Sequence, residues 1–145
     1  MAILQVKLEE TVNLNGKSRG SSTTTVVDDI TRVYHEIINP VAERRIFTFG
    51  TAATGDAAGN FISSDVEYLR VTNIGDTNNC KIRVVGTSEA YVAELQPTAS
   101  YILFNDQMDA FEGATAATGT IALADIEYVT ASGNTEIEVF AAASE

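Results

Sequence analysis

The chain is predicted to be an all-β protein: an antiparallel β-sandwich, jelly-roll-like, of about nine strands with little or no helix. Three observations predict it. Apolar and polar residues alternate with period two along much of the chain, the pattern of strands with one buried face. Clusters of Gly, Asn, Asp, Ser and Thr interrupt that alternation at short intervals, as turns between short strands do. And one unit is written twice. Thr51-Ala-Ala-Thr-Gly55 recurs as Thr115-Ala-Ala-Thr-Gly119, and each copy leads into an Asp-aliphatic-Glu-Tyr tetrad, Asp65 to Tyr68 and Asp125 to Tyr128. Each tetrad continues as an alternating run, a polar turn and a second alternating run. Both units read as antiparallel hairpins, from duplication or from convergence. A closed barrel is the alternative architecture.

The elements follow in order. Leu4, Val6, Leu8, Val12 and Leu14 share one phase against Gln5, Lys7 and Glu9, which predicts a long strand with one buried face. Asn15 to Ser22 reads as a loop of residues that tolerate turn geometry. Residues 1–22 thus form a strand or arm plus loop, able to extend to a neighbouring subunit. Thr23 to Val27 is β-branched and extended. Residues 28–40 are ambiguous. Ile30, Val33, Tyr34, Ile37, Ile38 and Val41 fall at helical spacing behind possible Asp28/Asp29 caps, whereas β-branched content and the alternation of Val33, His35 and Ile37 favour a strand. Arg45 to Phe49 is a strand, and Gly50 to Asn60 is a loop of small side chains. The first repeat unit carries Tyr68, Arg70 and Thr72 opposite in phase to Leu69 and Val71. It turns at Gly75 to Asn79 and returns with Cys80, Ile82 and Val84 on one face. Strands at Ala90 to Leu95 and Ser100 to Phe104 flank Gln96-Pro97-Thr98-Ala99. A second long loop, Asn105 to Gly119, precedes the second unit, in which Ile137 and Val139 alternate with Glu136 and Glu138. No linker divides residues 1–145, so one domain is expected.

Composition narrows the function classes. Twenty acids against nine bases give a net charge of −11, a field that repels phosphate backbones and argues against nucleic acid as a partner. A single cysteine forms no intrachain disulfide and fits none of the multi-cysteine zinc patterns. The N-terminus lacks the basic and apolar regions of a signal peptide, and no apolar run approaches a membrane span. Synthesis in a reducing cytoplasm is the expectation, with no membrane partner.

Candidate chemistry is sparse. His35 is the sole histidine, and no serine sits in a Gly-x-Ser-x-Gly elbow, so a strand-face or interface role is expected for it. Cys80 alternates with Ile82 and Val84 and is expected to be a buried small hydrophobe rather than a nucleophile. Asp56, Asp106, Asp109 and Glu112 lie in the two long loops without calcium-loop spacing, and read as solvated acids. Asp65/Glu67 and Asp125/Glu127 invite comparison with a glycosidase dyad. They recur because the strand pattern recurs, and are expected on exposed strand phases. Phosphate-binding glycine motifs are absent. The sequence therefore predicts no catalytic, cofactor-binding or metal site, and no enzyme.

The run from Asp65 to Asn79, with its Leu69-Arg-Val-Thr-Asn73 core and polar turn, resembles small structural proteins of tailed bacteriophages, marine and cyanobacterial ones especially. Leu95 to Phe104 and the Ala/Val-rich end at Glu138 to Ala142 extend the resemblance over roughly Arg45 to Glu145. It implies a virion component. The expectation is a capsid decoration (cement) protein on the head exterior, a homo-oligomer (dimer or trimer) that stabilises the head by bridging copies of the major capsid protein. The alternative is a tail, baseplate or fibre component contacting a host glycan or another tail protein.

Overall fold

A computed structural model describes residues 2–50, 60–62, 64–86, 90–104, 111–112, 120–121, 123–131 and 135–144. Among them there is no helix, and nine strands form two packed antiparallel layers. The first layer has five strands. In spatial order they are β10 (Ala90–Leu95), β9 (Cys80–Gly86), β14 (Leu123–Ala131), β6 (Arg44–Gly50) and β7 (Asn60–Ile62), with only β6 and β7 parallel. The second layer has four: β11 (Ser100–Phe104), β8 (Val66–Asn73), β15 (Ile137–Ala143) and β5 (Arg32–Ile38). Residues 28–40 are thus extended, not helical. β-branched side chains suit the pleated surface, and Asp29, at φ 60°, turns the chain just before β5 begins.

The repeat units are real but are not hairpins. β8 and β9 lie in different layers, as do β14 and β15, so each unit is an arch that crosses the core. The arches then pair with each other. β8 pairs β15 with Leu69 opposite Ala141 and Val71 opposite Val139, while β9 pairs β14 with Ile82 opposite Tyr128 and Val84 opposite Ile126. The first strand of each unit meets the second strand of the other, a pseudo-two-fold arrangement. A hairpin and an arch share one local signature, alternation broken by a polar turn, and only the long-range pairing separates them.

The core lies between the layers. Leu69, Val71, Cys80, Ile82, Ile126, Ile137 and Val139 are fully buried on the faces that alternation assigned. Ile46 and Phe47 are adjacent and both buried because Ile46 is the extra residue of a β-bulge against β14. Phe47 stacks on Phe61 at 5.3 Å and meets Phe49 edge-on at 5.0 Å, filling the β6–β7 end where no tryptophan is available.

One buried polar side chain closes the first arch. The Asn73 amide donates to the carbonyls of Asn78 at 2.8 Å and Leu95 at 3.0 Å, and its Oδ1 accepts from the Gly75 N–H at 3.1 Å. Its backbone bonds the β11 end of the turn that joins β10 to β11: Asn73 N–H to Ala99 O, and Thr98 N–H to Asn73 O. Ile74 N–H reaches Glu136 O at the second arch.

Residues 2–30 fold back on themselves outside the sandwich. β1 (Ala2–Glu10) pairs β4 (Ser21–Ile30), and β2 (Asn13–Leu14) pairs β3 (Lys17–Ser18) in continuing register. Asn15 and Gly16 have φ of 52° and 75°, the two left-handed residues of a tight hairpin turn. The segment expected as strand plus loop is therefore one long hairpin. Its expected buried face is buried only at the base: Leu8, Val12 and Leu14 are more than half exposed. β12 (Phe111–Glu112) and β13 (Thr120–Ile121) form a further small pair. The repeated Thr-Ala-Ala-Thr-Gly stretches and the Asp56, Asp106 and Asp109 carboxylates lie outside the described residues, as does the side chain of Glu112.

Removing the arch clamp takes the Asn73 hydrogen bond from two carbonyls and an N–H. Asn73→Ala should lower unfolding free energy by about 3 kcal/mol in urea titrations, against less than about 1 kcal/mol for Thr72→Val, whose hydroxyl bonds Ser100 at the sheet edge. Equal losses at both positions would deny the clamp special weight. Gly20 faces the Glu10 carbonyl so closely that a Cβ has no room. Gly20→Ala should therefore speed protease cleavage within residues 8–23 while the melting temperature of the sandwich stays within about 2 °C.

Candidate functional site: an apolar sheet face and a projecting hairpin

The two outer faces of the sandwich differ in chemistry. On the five-stranded layer, ion pairs cross neighbouring strands. Arg83 bridges Glu127 at 2.8 Å and Glu43 at 2.9 Å, and Lys81 lies 3.9 Å from Glu94. Arg45 Nε approaches Asp125 Oδ1 to 2.9 Å, an electrostatic contact in which that oxygen has no aligned hydrogen-bond donor. The second tetrad's acids are therefore half-buried and paired rather than simply exposed. In the first tetrad, Glu67 accepts from the Ser144 hydroxyl at 2.8 Å and Asp65 from Ser64 at 2.9 Å. The two tetrads sit on strands of opposite layers, so the fold does not assemble them as one carboxylate pair.

The four-stranded layer is different. Its register builds three rows across β5, β15, β8 and β11: Val33–Ala142–Tyr68–Phe104, His35–Phe140–Arg70–Ile102 and Ile37–Glu138–Thr72–Ser100. Seven of these twelve positions are apolar or aromatic, on the side opposite the core. The base of the hairpin covers the middle of this face. Leu4, Val6 and Val27 pack with Ile30, Tyr68, Ala142 and Phe140 in a second, smaller apolar cluster. Burial there pushes the Tyr68 phenol up, partly countered by the nearby Arg70 guanidinium. The flanks stay open. Val33, Ile37, Ile102 and Phe104 are 55%, 57%, 47% and 37% exposed.

One charged group crosses this apolar surface. Glu138 accepts from Arg70 at 2.5 Å through one oxygen and lies 2.9 Å from His35 Nε2 through the other. His35 is thus an exposed strand-face residue in an ion cluster, tilted against Phe140 at 6.0 Å. Arg70 Nε is shielded from solvent yet lacks a partner. Sequence reasoning placed His35 on a strand face but did not foresee Arg70 and Glu138 beside it, because the β5–β15–β8 order is a long-range property.

Cys80 is a free thiol with no exposed surface, and burial pushes its pKa from 9.0 up to about 11. Tyr34 rises to about 12 through burial and its hydrogen bond to Glu36. Two clefts lie on described residues. One of about 260 Å³ opens between the hairpin and Tyr68, Arg70 and Phe140; another of about 240 Å³ opens between β5 and β6, beside Tyr34 and Arg44. Both are open to solvent and smaller than the pockets that enclose small molecules. Among the described residues no group of His, Cys, Asp and Glu is arranged to hold a metal ion, and no helix is long and apolar enough to cross a membrane.

Comparison with known proteins found no matching family model, no matching curated protein and no matching solved structure.

The thiol gives a direct check on core placement. Native Cys80 should resist an aromatic disulfide reagent at pH 8 and react fully once unfolded in urea. A raised folded pKa also carries a pH signature. The thiol's contribution to stability is present below pH 9 and is lost as pH climbs from 9 toward about 11, because the unfolded chain ionises first. Cys80→Ala should flatten part of that decline in the urea midpoint, and an unchanged slope would contradict it.

Proposed function

We propose that this chain is a non-enzymatic virion structural protein, a decoration (cement) protein on the exterior of a phage head, made in the host cytoplasm. It would bind the major capsid protein together with copies of itself. The observation that carries this reading is the apolar face of the four-stranded layer together with the hairpin that projects past it. Exposed apolar side chains gathered on both edge strands of one layer, Val33 and Ile37 on β5 and Ile102 and Phe104 on β11, are the kind of surface that marks interaction sites. A bridging protein needs a stiff body and a reach beyond it. The interlocked arches supply the first. The hairpin supplies the second, extending roughly 23 Å from Leu8 to Asn15 at the usual strand rise. The acidic charge suits an outer shell surface, away from packaged DNA. The resemblance around Leu69 to Asn73 supports the assignment to tailed phages.

Particles purified from a phage that encodes this chain provide the test. Quantitative mass spectrometry should count it at the same order as the major shell protein. Heads stripped of it should lose resistance to heat and regain it on adding back the purified protein. A handful of copies per particle would favour the tail or fibre reading, and absence from particles would refute both.

A further inference from the structure

Two tyrosines meet at the open rim of the sandwich. β10 and β11 are edge strands of opposite layers. Ala93 and Leu95 on β10 and Leu103 on β11 turn toward the core, and Tyr91 and Tyr101 share their phases. The two phenols therefore lean toward each other across the gap between the layers. Their hydroxyls are hydrogen-bonded, and the ring centroids lie 6.3 Å apart with the planes tilted by 59°. Tyr101 is half-buried against the core, whereas Tyr91 is 52% exposed, so solvent reaches the pair from one side. Among the described residues no other two tyrosines are in ring contact. Tyr68 and Tyr128 are buried, and Tyr34 donates to Glu36 and packs on Phe47 and Phe61. Competing electron donors are scarce. The chain has no tryptophan, and its one cysteine has no exposed surface.

We propose that Tyr91 and Tyr101 form a site of oxidative coupling, where a one-electron oxidant of the peroxidase class joins them as a dityrosine that staples one layer to the other. Each phenol gives up one electron and its hydroxyl proton, leaving a phenoxyl radical whose spin is shared onto the ring carbons beside the oxygen. One Cε of each ring then bonds to the other. The hydrogen on each of those carbons moves to its phenolic oxygen, which restores both aromatic rings. The pair has lost two electrons and two protons in all, and one hydrogen peroxide takes them up as it becomes two waters. Because Cε is one bond from the oxygen-bearing carbon, hydroxyls in contact hold the reacting carbons within a small ring rotation of each other. Coupling is then an intramolecular step, which proximity favours over joining two separate chains. The position suits a staple. Residues 96–99 join β10 to β11, and the new bond adds a second covalent tie at that edge. A chain with a single cysteine has no internal disulfide to do the same. The inference rests on the rim alone and does not depend on where the protein resides.

The test treats the full chain, at low concentration, with a haem peroxidase and hydrogen peroxide. A photo-oxidised ruthenium trisbipyridyl complex with persulfate repeats it with an oxidant small enough to reach the rim. The product should migrate as a monomer in denaturing gels, lose the mass of two hydrogens and gain dityrosine fluorescence. Cleavage after glutamate separates Tyr91, in residues 90–94, from Tyr101, in residues 95–112, and the cross-link should join those two peptides. Tyr91→Phe and Tyr101→Phe, which keep both rings, should each abolish the within-chain product, whereas Tyr34→Phe should leave it unchanged. The coupled protein should melt about 5 °C above the untreated chain, with no rise for oxidised Tyr91→Phe. Failure of both oxidants to join the two peptides would overturn the proposal. So would a product that survives Tyr91→Phe, coupling only between chains, or a cross-link without the rise in melting temperature.

Discussion

The fold depends on two arches that cannot be completed alone. β8 and β9 leave each other's layer, so neither finds its ladder partner within its own unit, and each is paired by the opposite strand of the second arch. Thermodynamics favours this over two local hairpins. Lengthening a connection from two residues to the six at 74–79 costs about 1 kcal/mol of closure entropy. Burying even one additional Ile or Leu side chain is worth about 1.5–3 kcal/mol. Crossing the core places Leu69 and Val71 in one layer against Ile82 and Val84 in the other, all essentially without exposed surface. Asn73 makes the crossing permanent. Its side chain replaces the ladder bonds that a tight turn would have supplied, and its backbone ties in the connection from β10 to β11. A third crossing thereby becomes part of the same hydrogen-bonded knot.

That dependence explains what could be read in the sequence. Alternation correctly identified Cys80, Ile82 and Val84, and Ile137 and Val139, as core-facing, because side-chain direction in a strand is a local consequence of the pleat. It also identified the repeated unit as the organising element. It did not distinguish hairpin from arch, because strand partnership is decided by residues 37 to 77 positions away. The hairpin at residues 2–30 illustrates the complementary error. Asn15-Gly16 is among the strongest short hairpin turns, but it sits within a run of small polar residues that resembles a loop. The phase of Leu4 through Leu14 was read correctly as an amphipathic face, while its covering was not, since alternation says nothing of what lies above a face. The candidate site was less legible still. Val33, His35 and Ile37 alternate visibly, yet the rows that make them one surface with Phe140, Arg70 and Ile102 exist only once β5, β15, β8 and β11 are in order.

The charge of the chain is distributed according to the same division of labour. On the five-stranded layer, cations are matched to carboxylates across strands, with Arg83 held between Glu43 and Glu127. Pairs of this exposure contribute little to stability, about 0–1 kcal/mol each. Their effect is to make that face polar and satisfied, which discourages association there. Arg32 stacks over Phe61 at 4.1 Å from the ring centroid, capping the aromatic end of the core. The exposed cations at the hairpin tip stand apart from these pairings, carried beyond the acidic body on a ribbon whose other charges are mixed.

On the proposed function, the cluster of Arg70, Glu138 and His35 would give the apolar face its selectivity. A wholly apolar surface of that size would accept any apolar partner in many registers. A charged row through its middle changes the energetics. Covering it with an uncharged apolar segment would strip water from three polar groups without replacing their hydrogen bonds, a loss that grows with the completeness of the contact. A partner that supplies an acceptor for Arg70 Nε, now shielded and unpartnered, recovers part of that loss in one position only. If the protein binds as proposed, the apolar flanks would provide the driving force for association, and the ion cluster would decide which partner, and which register, that force rewards.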